Sequence, residues 1–75
     1  MWRLVKTGIE GSCELFGANI FDYKWNATNE KVIVVEPLHN QQHELNVYEV
    51  EIDGITVTFA AGEFSNCVYG FYLRD

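Results

Sequence analysis

Glu36, His39, His43 and Glu44 fall within the nine residues EPLHNQQHE, the densest group of chemistry-bearing side chains in the sequence. Imidazoles four positions apart share one face of a helix, so if residues 38–44 coil they make half of a zinc or nickel site. Two ligands do not close a tetrahedral site and no cysteine lies nearby. Asn40, Gln41 and Gln42 make the stretch a polar connection, and no metal is assigned. Nucleophiles are present in Ser12, Cys13, Ser65 and Cys67, with His39 or His43 as the available bases. None of them stands in a recognisable catalytic pattern, and both cysteines lie in strand-like runs where a thiol usually serves as a small buried hydrophobe. The glycines of TGIEG, Gly8 and Gly11, lack the Gly-Lys-Ser/Thr and the helix that complete a phosphate-cradling loop, so they read as a turn. No catalytic group is placed and no cofactor is called for; the chain reads as a non-enzyme.

Binding chemistry is better represented. In FDYKW, alternation sets Phe21, Tyr23 and Trp25 on one side of an extended chain, a platform on which a planar molecule or a sugar could stack. Lys24 and Lys31 are close by, yet readers of single-stranded nucleic acid combine stacking with a basic groove, and the charge of this chain runs the other way. In YEVEIDGITVTF, Glu49, Glu51 and Asp53 form a line of charge, alternate residues lying about 6.6 Å apart, with Thr56 and Thr58 on the adjoining run. Such a ridge keeps one face of a hairpin wet and discourages edge pairing. It is also the surface on which a basic protein partner would dock.

The elements that must carry these residues read as strands. Asp53-Gly54 is the signature of a two-residue type I′ turn. Folding about it sets Ile52 against Ile55, Val50 against Val57 and Tyr48 against Phe59, with Glu51 facing Thr56 and Glu49 facing Thr58. A slip of one residue would bury the acids, so this register is strongly specified. WRLVK, SCELF and FDYKW alternate in the same way. KVIVVEP carries Val32, Ile33, Val34 and Val35 without a polar face, and NCVYGFYLR is apolar on both faces, with Gly70 marking a bulge or a close approach to the backbone. Residues 26–29 read as a turn, and a turn or two of helix is the best reading of residues 38–45. The fold class expected is all-β: a small antiparallel meander of five to six strands curled into a barrel or a sandwich.

At 75 residues the chain is one small β domain spanning 1–75. Its net charge is −6, and the imbalance lies in residues 32–73, which hold six acids and no Lys or Arg. That excess repels nucleic acid and anionic lipid and suits a basic partner. No run reaches the length of a membrane span, and the first residues lack a leader-like apolar core, so a cytoplasmic location with reduced thiols is expected. Outward-facing apolar residues on the two double-faced strands call for cover, and with no helix to supply it a second copy is the natural source, giving a homodimer. The function expected is that of a small acidic protein-interaction module, an adaptor or inhibitor, docking through Glu49, Glu51, Asp53, Thr56 and Thr58. The alternative is a small-ligand or sugar-binding protein that uses Phe21, Tyr23 and Trp25.

Overall fold

The computed structural model describes residues 1–37 and 39–74. Its strands are β1 (Trp2–Ile9), β2 (Glu14–Leu15), β3 (Ala18–Asn19), β4 (Trp25–Val35), β5 (Gln42–Ile52), β6 (Ile55–Ser65) and β7 (Val68–Arg74), with a 3-10 turn at Ile20–Asp22. Five of them form one antiparallel sheet in the order β1-β7-β6-β5-β4, and β2 pairs with β3 in a separate hairpin. The β5–β6 register is the one its apolar residues dictate: Ile52 faces Ile55, Val50 faces Val57, and Tyr48 faces Phe59. Asp53 and Gly54 take φ of 52° and 78°, the positive pair that a type I′ turn requires.

Both faces of the sheet are apolar over much of their area. On one, Val50, Ile52, Phe59, Ala61 and Phe71 are buried together with Cys13 and Ile20. On the other, Val34, Leu45, Val47, Ala60 and Tyr72 form a second cluster, against which Leu4, Val32 and Phe64 pack. The sheet ends at β1 and β4, which do not pair, so no closed barrel forms. Arg74 of β7 nonetheless reaches Glu30 on β4, donating two hydrogen bonds of 3.1 Å to its carboxylate.

The cover for the first face comes from the chain itself. Between β1 and β4, residues 10–24 make an excursion across the sheet, held together by one side chain. Asn19 Oδ1 accepts hydrogen bonds from the main-chain N–H of Cys13 and Phe21, and Asn19 Nδ2 donates to the Gly11 carbonyl at 2.8 Å. The Trp25 indole donates to the Ile20 carbonyl at 2.9 Å and locks the end of the excursion. Phe71 of β7 is therefore enclosed without a second molecule, because Phe21 and Trp25 pack on it at 5.7 and 5.9 Å between ring centroids. The apolar residues left open include Ile33 and Val35 on the edge strand β4, 66% and 50% exposed, while Met1, Ile9, Phe16 and Ile55 are exposed elsewhere.

Several local readings are revised. FDYKW is not one strand: Phe21 lies in the 3-10 turn, and only Trp25 enters β4. SCELF shrinks to the two residues of β2. Residues 26–29 do not turn the chain but sit within β4, where residues 28–30 form a bulge and the Thr28 hydroxyl donates to the Val47 carbonyl at 2.9 Å. The helical turn expected at residues 38–45 begins on Leu38, outside the described residues, and from Gln42 onward the chain is strand β5. Gly8 belongs to β1 rather than to a turn, and a Cβ there would stand 2.6 Å from Cys13 Sγ. At Gly70 the close-approach reading holds, since the ring of Phe64 occupies the place of the missing side chain.

Candidate functional site

Cysteine and histidine chemistry is dispersed. Both thiols are free; Cys13 is buried in the first core, and Cys67 is exposed in the β6–β7 turn at φ 63° rather than inside a strand. Burial pushes the Cys13 thiol above its ordinary range, against the opposing pull of Lys6. His39 lies in the β4–β5 connection, its main-chain N–H donating to Glu36 Oε1 at 2.7 Å and its Nδ1 lying 3.1 Å from the same oxygen. His43 lies in β5, stacked on Phe64 at 4.7 Å. Among the described residues no group of three His, Cys, Asp or Glu side chains is arranged to hold a metal ion. A cavity of about 720 Å³ does open beside Glu36, His39, Phe64 and Leu4, where the buried Glu36 carboxylate holds His39 and ties the polar connection in place.

A second cavity, lined by aromatic rings, lies on the first face of the sheet. About 390 Å³ in volume and open to solvent, it is lined by Phe21 from the excursion, Trp25 from the start of β4, Asn46 and Tyr48 from β5, Glu63 from β6, and Tyr69 and Phe71 from β7. Strand alternation explains how these meet: Tyr48, Phe59 and Leu73 lie in register on one face, which carries Phe71 and Tyr69 along β7. Two perpendicular ring pairs stand over the buried Phe71. Trp25 meets Tyr48 at 5.3 Å and 85°, and Phe21 meets Tyr69 at 5.5 Å and 88°. These edge-to-face arrangements are the favoured ones for aromatic quadrupoles and hold the rings in place.

Polar groups of the site are acidic or neutral. Glu63 accepts a hydrogen bond from the Cys67 main chain at 3.1 Å, which fixes its carboxylate near the cavity. The Tyr69 hydroxyl donates to Glu10 Oε1 at 3.2 Å. Glu10, more than any other neighbour, raises the pKa of the Tyr69 phenol, with Glu63 adding to the effect. Lys31, opposite Asn46 on β4, points its ammonium toward Glu44 at 3.8 Å.

Of the residues read from the sequence as a stacking stripe, Phe21 and Trp25 line this cavity, while Tyr23 packs half-buried against the first core. The acidic ridge lies elsewhere. Glu49 and Glu51 alternate with Tyr48 and Val50 along β5, so they face the opposite side of the sheet, opposite Thr58 and Thr56 of β6, while Asp53 sits in the turn. Among the described residues none of the three acids forms an ion pair. Tyr48, Tyr69, Phe71, Asn46 and Glu63 were not singled out in the sequence as site residues. The signal for Tyr48 was present in the hairpin register, whereas Tyr69 and Phe71 join only once β7 is placed beside β6.

No protein-family model, curated protein or solved structure matches this chain. Its functional reading rests on its own fold and site.

Proposed function

We propose that this protein is a small non-catalytic interaction module that binds a basic protein partner, with the aromatic groove as its recognition surface and the acidic ridge contributing long-range attraction. The observation that carries the reading is the convergence of five rings from three strands and the excursion on one solvent-open cavity. Large, stiff rings with few torsions to freeze are the residues that dominate protein recognition. A net charge of −6 favours partners of opposite sign. Four of the five rings stand on strands of the sheet, which support a recognition site more firmly than a loop does.

The second reading, a small-molecule or sugar site on Phe21 and Trp25, uses the same cavity. A nuclear magnetic resonance titration separates the two. A lysine-rich decapeptide that shifts the Trp25 indole and the amides of Tyr48 and Tyr69 supports the interaction module. Shifts produced there by a disaccharide and not by the peptide would replace it with the ligand-binding reading. Self-association remains part of the proposal, supported by Ile33 and Val35 on the open edge of β4. Light scattering at tens of micromolar should give the mass of a dimer, and a monomeric mass would remove that part.

A further inference from the structure

We infer that the aromatic groove receives the alkylated ammonium head of a methylated lysine on the partner protein. This rests on the interaction-module reading and specifies what enters the site. Three properties of the groove select the occupant.

Its charge is the first. Glu63 lines the cavity, held by the Cys67 main chain, and Glu10 is hydrogen-bonded to Tyr69 at its margin. An anion is disfavoured there, and a cation gains from both the carboxylates and the ring faces, which attract positive charge within about 6 Å of a centroid. Shape is the second. Tyr69 and Phe71 are nearly parallel, 22° apart, but their centroids are 6.5 Å apart, too close to admit a planar group between them. The perpendicular pairs Trp25/Tyr48 and Phe21/Tyr69 instead present ring surfaces in two orientations, which suits a rounded group.

Hydrogen-bonding capacity is the third. Among the described residues, the side chains lining the cavity offer Asn46 and Glu63 as their only strongly polar groups besides the tyrosine hydroxyls. A sugar needs many partners at once, and an unmodified ammonium must replace a tightly held hydration shell. A methylated ammonium keeps its charge, sheds most of that hydration requirement and exposes methyl groups to the rings.

The test compares four probes by resonance titration against the intact chain. These are tetramethylammonium, a lysine pentapeptide, the same peptide trimethylated, and the same peptide carrying a neutral tert-butyl isostere of the trimethylated head. Tetramethylammonium and the trimethylated peptide are expected to shift the Trp25 indole and the Tyr48 and Tyr69 amides. The trimethylated peptide should bind about three- to five-fold more tightly than either other peptide. Glu63→Gln, which keeps an acceptor for the Cys67 N–H, should weaken the trimethylated peptide and leave the isostere unchanged; Tyr48→Leu should do the same while preserving apolar volume. Amide spectra show whether each variant is folded. Equal binding of the isostere, or shifts that avoid the groove, would overturn the inference. If lysine-rich peptides still bind in the groove without preference for the methylated head, the interaction module stands and this inference falls. If no peptide binds, both fall.

Discussion

At the scale of single residues, Tyr72 couples burial to pH. Its side chain is 5% exposed, and its hydroxyl has no hydrogen-bond partner among the described residues. Burial raises the pKa of the phenol, and the nearby Glu36 carboxylate pushes it further. The folded state therefore holds the proton more tightly than the unfolded chain does. The contribution is fully present below the phenol's ordinary value near 10.0 and is lost as the pH climbs through the raised one. The buried Cys13 thiol acts with the same sign, beginning near its ordinary 9.0. Urea midpoints measured at pH 7, 9 and 10.5 should fall across that range. Tyr72→Phe should flatten the upper part of the decline, and at pH 7 it should be neutral or stabilising by up to about 1 kcal/mol, because it removes a buried hydroxyl that makes no bond. A decline as steep as that of the wild type would show that Tyr72 is not its source.

At the scale of elements, β6 and β7 are fitted to each other through an absence. Gly70 has no side chain, and the Phe64 ring, displaced into the bulge between Glu63 and Ser65, fills that space and packs against Tyr72 at 6.2 Å. Gly70→Ala should overpack this contact and destabilise the fold by about 1–3 kcal/mol. Adding Phe64→Leu should recover much of that loss in a double-mutant cycle of urea unfolding, since the clash is with the ring; additive losses would place the damage elsewhere. The glycine was legible in the sequence as a close approach, though its partner was not. The β5–β6 register about Asp53-Gly54 was legible, because turn chemistry and apolar pairing are both local, whereas the outer ends of both strands, at residues 42–45 and 62–65, were not. The excursion was not, because its shape depends on Asn19 reaching Gly11, Cys13 and Phe21 at once, a nonlocal geometry with no periodic trace. For the same reason the groove was seen only as a stripe of rings until β7, which pairs with β1 from the far end of the chain, brought Tyr69 and Phe71 beside it.

At the scale of the molecule, two faces of one strand carry the two surfaces that the proposal joins. Groove and ridge alternate along β5, so a partner seated in the groove does not touch Glu49 or Glu51. The ridge then acts through its field. Glu49→Gln, Glu51→Gln and Asp53→Asn together remove three of the six net negative charges. In stopped-flow measurements with a lysine-rich peptide they should slow association several-fold at low salt and reduce its salt dependence, with little change in dissociation. Association that is indifferent to both salt and substitution would end the steering role. The β1–β7 ladder has a mechanical consequence as well. Trp2 is paired with Arg74 in antiparallel register, so a force pulling those residues apart acts along the hydrogen bonds at one end of the ladder rather than across all of them. Under tension the sheet would unzip one pair at a time from that corner. β1 would peel away at low force while the β5–β6 hairpin, off the line of load, stayed closed.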